Sequence, residues 1–118
     1  MKQSERRIWL IQQLLNEKPE YKQYQIPQDE QGQKDLLRAL MNVRMPDPID
    51  DEFLRIQDDY LREETNRKGI VELSGLSPWR GDNRIYLWQG DMSRLQAEAV
   101  VDPCNDQLLG CFRPLHNC

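Results

Sequence analysis

The sequence predicts an α/β protein in which a helical N-terminal part precedes the opening of a sheet. Three observations carry this. Apolar residues recur at helical spacing through the first 70 positions, turn formers crowd residues 74–83, and two short continuous apolar runs follow at 85–88 and 99–101. Two strands in succession do not make a stable sheet with both faces covered, so the second half is expected to be the start of a larger α/β domain, truncated here. The corresponding division is a helical extension over 1–70, a connector over 71–83 and an incomplete α/β domain over 84–118.

The first helix is expected over 4–16, where Ile8, Ile11, Leu14 and Leu15 share one face and Pro19 marks the end. Residues 17–33, rich in Gln, Glu, Lys and Pro, are expected to form a surface loop. A second helix over 33–44 carries Leu36, Leu37, Leu40, Met41 and Val43, and Met45-Pro46-Asp47-Pro48 ends it, because residues before proline avoid the helical region. The third has the clearest signals: Asp50, Asp51 and Glu52 at the positive end of the helix dipole, Arg67 and Lys68 at the negative end, and Gly69 beyond. Phe53, Ile56 and Tyr60 form its buried stripe, widened by Leu54 and Leu61. All these stripes are assigned to core packing.

After the connector, Ile85-Tyr86-Leu87-Trp88 is expected to be a strand buried on both faces, broken by Gly90-Asp91. A turn of helix is expected around Ser93-Arg94-Leu95. Ala99-Val100-Val101 is the second expected buried strand, ending at Asp102-Pro103.

At 118 residues the chain has room for one core. Charged residues make up 31% and hydrophobic ones 38%, with a net charge of -4, so neither a membrane-spanning run nor a basic nucleic-acid-binding face is expected. The apolar stretch Ile8-Trp9-Leu10-Ile11 is too short for a signal peptide, which places the protein in the cytoplasm; separately, a monomer is expected. Three cysteines without a secretion signal favour reduced thiols or metal ligands over a disulfide framework.

Cysteine and histidine, the favoured ligands of zinc, concentrate at the end of the chain. Cys111, His116 and Cys118 follow the pattern Cys-x4-His-x-Cys, with Pro114 bending the loop. Three protein ligands suit a catalytic zinc with an open position, whereas a fourth beyond residue 118 would make the site structural. The plainer alternative is two small buried thiols and a solvated histidine. Polar residues follow both expected strands, where open α/β sheets bind ligands. Asp91 is either an acceptor for a ligand's amine or hydroxyl, or a turn aspartate capping the amides of Ser93 or Arg94. Asn105 is either a ligand contact or a turn residue bonding its own backbone.

Tyr86-Leu87-Trp88-Gln89-Gly90-Asp91-Met92-Ser93-Arg94-Leu95, then Ala97-Glu98-Ala99-Val100-Val101 and Leu108-Leu109-Gly110-Cys111-Phe112, resemble the start of a macrodomain. The Cys-Phe-x-Pro-x-His-x-Cys element resembles the zinc-containing macrodomains of bacteria and fungi, protein-ADP-ribose hydrolases often encoded beside a sirtuin-type ADP-ribosyltransferase. Leu36 to Arg44 and Phe53 to Asp58 look like the helical extension of that branch, so the resemblance covers roughly residues 34–118. It implies a three-layer α/β/α fold and the removal of ADP-ribose from modified protein side chains. Asp91, with Met92 beside it, matches the substrate-binding position that holds the adenine amino group. Asn105 matches the asparagine at the distal ribose, next to the bond that is cut. Cys111, His116 and Cys118 match the zinc ligands. The family's Asn-Ala-Ala-Asn is replaced here by Asp102-Pro103-Cys104-Asn105, which adds a carboxylate and a thiol and removes a backbone donor. That departure keeps open a reader that binds ADP-ribose without turnover; a third alternative is a helical interaction fragment, since residues 1–70 could bundle without any sheet.

Overall fold

A computed structural model describes residues 1–116 and comprises two compact units: Met1–Tyr60 together with the segment from Cys104, and Leu61–Pro103. Helix α1 (Gln3–Asn16) begins where Glu5 reaches back to accept the Lys2 N–H at 2.7 Å. Helix α2 (Glu30–Val43) begins at Asp29, whose carboxylate accepts the Gly32 N–H at 2.6 Å. This cap starts α2 three residues before the expected start at 33, so residues 30–32, expected in the loop, are helical. Within the remaining loop, Pro19–Gln23 forms a 3-10 turn. Helix α3 (Asp51–Lys68) begins with Asp50 Oδ1 accepting the Phe53 N–H at 2.7 Å, and ends as expected at Gly69, whose φ is 86°.

The fully buried core of the first unit comes from these helices, with Tyr21, Ile26 and Ile49 among the residues packed against it. Leu10, Ile11, Leu14 and Leu15 of α1 pack with Leu37 and Leu40 of α2 and with Phe53, Ile56 and Tyr60 of α3. Leu10 and Ile11 are completely excluded from solvent, each contributing about 1.5–3 kcal/mol through burial. Trp9 and Phe53 meet at 6.1 Å between ring centroids, and Gln3 Nε2 donates to the Tyr60 carbonyl at 3.0 Å. Two polar side chains are buried with this core, Arg7 and Gln33. None of the helices among the described residues is long and apolar enough to cross a membrane.

In the second unit, β1 (Pro78–Trp79) and β2 (Asp82–Tyr86) form an antiparallel hairpin with an irregularity between Pro78 and Trp79. Arg80 and Gly81 between them have φ of 49° and 80°, the positive pair that a type I′ turn requires. A single parallel bridge joins Val71 to Leu95, and Met92–Arg94 forms the expected turn of helix, of 3-10 type.

The architecture is thus helices plus a two-stranded sheet, compatible with α/β. Both strand expectations need correction. The first strand runs over 82–86 rather than 85–88 and is not buried on both faces: Ile85 is 47% exposed. Residues 99–101 form no strand, and Val101 is 90% exposed. An apolar run becomes a doubly buried strand only with ladder neighbours and a covering layer on each side, and the hairpin gives β2 a ladder neighbour on one edge only.

Candidate functional site

The residues singled out by sequence fall in different units, and each group is built locally. In the second unit, Asp91 caps the 3-10 turn: Oδ1 accepts the Ser93 N–H at 3.0 Å and its hydroxyl at 2.7 Å, while Oδ2 pairs with Lys68 Nζ at 2.9 Å. The Ser93 hydroxyl, then Lys68 and the Ser93 amide, hold the Asp91 carboxyl at about 2, against an ordinary 3.8. The turn itself is fastened to the end of α3. Arg94 Nε donates to the Gly69 carbonyl at 2.8 Å, and Val71 exchanges backbone bonds with Arg94 (2.8 Å) and Gln96 (2.9 Å). Asp91 therefore remains ionised, oriented and partly exposed, with Met92 half-exposed beside it. The capping role foreseen for Asp91 is present, and it leaves room for a ligand. An ionised carboxylate offers about four acceptor positions, of which three are occupied here.

In the first unit, Asn105 organises the turn that leads to the cysteine–histidine segment. Its Oδ1 accepts the amides of Gln107 (3.1 Å) and Leu109 (3.2 Å), and its Nδ2 donates to the Leu109 carbonyl at 2.7 Å. Leu108 and Phe112 on either side of this turn's exit have φ of 56° and 53°, a costly conformation for bulky side chains that local contacts must hold in place. Leu108, Leu109, Gly110 and Phe112 form one wall of a cavity of about 340 Å³, opposite Met41 and Phe53.

Cys111 is disulfide-bonded in this structure rather than the reduced thiol expected from the sequence, and its Sγ stands 3.3 Å from His116 Nδ1. A thiolate and an imidazole on one tetrahedral zinc, at bond lengths of about 2.3 and 2.0–2.1 Å, are separated by about 3.6 Å. The disulfide leaves Cys111 without a thiolate to offer, so the pair has the donor chemistry of zinc only once that bond is reduced. Cys118 lies outside the described residues, and among the described residues no cluster of three or more ligating side chains occurs. Cys104 is exposed and unpaired.

Sequence patterns alone missed the residues that hold this segment. Arg38 NH2 donates to the His116 carbonyl at 3.2 Å, and Asn42 Nδ2 donates to the carbonyls of Pro114 (3.0 Å) and His116 (3.2 Å). The available signal was a polar pair four residues apart on a helix whose neighbouring positions are apolar. Arg44 was likewise unforeseen. It grips Glu17 through Nε at 2.9 and 3.0 Å and donates to the carbonyls of Met45, Asp47 and Pro48, fixing the proline-bounded turn after α2.

No protein-family model matches the chain. Individual homologues support an ADP-ribose hydrolase family, in agreement with the resemblance carried by the motifs. Over its whole length the chain is 49% identical to the protein-ADP-ribose hydrolase of Treponema medium, of which it spans 46%. It is 42% identical over 84 residues to the protein-ADP-ribose hydrolase of Staphylococcus aureus strain COL, matching 71% of this chain and 31% of that protein. A Fusarium oxysporum f. sp. cubense protein named "Probable bifunctional ADP-ribose hydrolase/ADP-ribosyltransferase" is 36% identical over 92 residues, covering 70% of this chain and 15% of the fungal protein. The chain spans less than half the length of each of these relatives.

Proposed function

We propose that this chain serves a zinc-dependent macrodomain hydrolase that removes ADP-ribose from modified protein side chains. The observation that carries the proposal is identity of 49%, extending over the whole chain, with a protein-ADP-ribose hydrolase. Hydrolysis joins a water oxygen to the anomeric carbon of the distal ribose and breaks that carbon's bond to the protein side chain. One water proton ends on the released side chain.

The residues take the following parts. Asp91 stays ionised well below neutral pH and accepts the adenine amino group on its remaining acceptor position, with Met92 alongside. Asn105 presents its carboxamide to the distal ribose, at the bond that is cut. Cys111, once reduced, would hold zinc together with His116 and Cys118, and the metal would supply polarisation of water or orientation of the ribose. The working form is a cytoplasmic monomer acting on an ADP-ribosylated protein.

One observation favours a second reading, a reader without turnover. Both polar ends of Asn105 are engaged in its own turn, and Pro103 two residues before it lacks a backbone donor. Incubating the full protein with an ADP-ribosylated protein separates the two. A hydrolase releases free ADP-ribose, with Asn105→Ala lowering kcat and Asp91→Ala mainly raising KM. A reader binds ADP-ribose and leaves the modified protein unchanged. An absence of both binding and release sinks both readings and leaves the helical interaction role.

A further inference from the structure

We infer that Lys68, the last residue of α3, is a positioning residue for the base end of ADP-ribose: by pairing with Asp91 Oδ2 it sets the plane of the carboxylate that takes the adenine amino group. The inference rests on the ADP-ribose reading above, and it gives the end of α3 a part in nucleotide recognition. Both residues lie in the second unit. The carboxyl torsion of an aspartate is intrinsically broad, so one engaged oxygen leaves its plane poorly defined. At Asp91 both oxygens are engaged. Oδ1 accepts the amide and hydroxyl of Ser93, two residues away, while Oδ2 accepts Lys68 Nζ at 2.9 Å, from 23 residues away. The Ser93 bonds come with the turn itself, whereas the donor on Oδ2 depends on where α3 ends.

That end is fastened to the Asp91 turn. Gly69, with its φ of 86°, turns the chain back from the helix, and its carbonyl accepts Arg94 Nε at 2.8 Å. Val71 N–H donates to the Arg94 carbonyl at 2.8 Å, and the Val71 carbonyl accepts the Gln96 N–H at 2.9 Å. The backbone beside Lys68 is thereby tied to the residues that follow Asp91, which limits the positions the lysine has to search and lowers the cost of holding the pair in order. With three of about four acceptor positions occupied, the pairing also decides which one is left for a ligand. The two side chains are 54% and 45% exposed, so the open position is within reach of a nucleotide and the expected effect is modest.

The test uses the full protein and free ADP-ribose, with affinity read by isothermal titration calorimetry. Lys68→Met keeps the stem and removes the charge, and Lys68→Arg retains a charged donor. Arg67→Met removes a charge from the same helical turn, where Arg67 NH1 pairs with Glu64 at 3.2 Å. Lys68→Met is expected to weaken binding about 2- to 5-fold, the range open to an exposed ion pair, with Lys68→Arg restoring most of the loss and Arg67→Met binding as wild type. In an Asp91→Asn background, Lys68→Met is expected to have no further effect, because its influence passes through the carboxylate. An equal loss in both backgrounds overturns the inference and puts Lys68 in direct contact with the ligand. A matching loss in Arg67→Met overturns it as a general charge effect.

A second measurement needs no nucleotide. The carbon-13 midpoint of the Asp91 carboxyl is expected to rise from about 2 in Lys68→Met and to stay low in Lys68→Arg. An unmoved midpoint in Lys68→Met overturns the inference, since the lysine then does not hold the carboxylate. If wild-type protein binds no ADP-ribose while the midpoint still moves, the functional reading fails and the positioning of Asp91 by Lys68 stands.

Discussion

Arg7 and Gln33 meet inside the helical unit, with Arg7 Nε donating to Gln33 Oε1 at 3.0 Å, and both residues are more than nine-tenths buried. Gln33 Nε2 passes the chain of bonds on to the Pro27 carbonyl at 2.9 Å, and Arg7 NH1 stands 3.5 Å from Glu30 Oε1. The entry to α2 is thereby tied to α1 by polar contacts that one-sided substitution leaves incomplete. Gln33→Leu strands a buried guanidinium donor and is expected to cost about 1–3 kcal/mol. Arg7→Met with Gln33→Leu removes both partners, so the pair is expected to show a coupling energy of about 0.5–3 kcal/mol in urea unfolding. Additive losses would show that the contact is not a coupled one.

Asp91 supplies a pH prediction. Its folded carboxyl titrates at about 2, below the ordinary 3.8, so its contribution to stability is fully present above pH 3.8 and is lost as pH falls through about 2. Carbon-13 titration of the side-chain carboxyl is expected to give a midpoint near 2, returning toward the ordinary value in Ser93→Ala, since the Ser93 hydroxyl is the largest cause of the depression. An unshifted wild-type midpoint contradicts the capped geometry.

The hairpin turn isolates a purely conformational effect. Nothing lies within 4 Å of where a Cβ on Gly81 would project, yet its φ is 80°. Gly81→Ala is therefore expected to destabilise the hairpin by about 1–2 kcal/mol through backbone strain alone. Faster amide exchange in β1 and β2, with exchange in α1 and α2 unchanged, is the expected signature.

Gly90 is constrained differently. A Cβ there would collide with Cζ2 of Trp88, so Gly90→Ala must turn the indole aside. The Trp88 indole N–H resonance is expected to move in that variant, while those of Trp9 and Trp79 stay in place.

The helices were legible because their determinants are local. Ile11, Leu14 and Leu15 mark the buried face of α1, with Leu10 rather than Ile8 completing it, and Asp50 caps α3 three residues away. Asp91 and Asn105 were legible as turn residues for the same reason: their partners lie within four positions, apart from Lys68. The strands were not, since whether Ile85 or Val101 is covered depends on neighbours that an apolar run does not specify. Nor were Asn42 and Arg38, whose partners are more than 70 residues away. Cys118, the third expected ligand, falls outside the described residues.

The first unit is assembled from two stretches of chain, 1–60 and the segment from 104, with residues 61–103 between them. This has a consequence for biosynthesis. At about 5–20 residues per second, the residues that make the core are synthesised several seconds before His116. The intervening length adds little to the closure cost, about 0.6 kcal/mol for each doubling. The apolar core can therefore form first, and Asn42 and Arg38 present their donors to a segment that arrives late and folds onto a finished template.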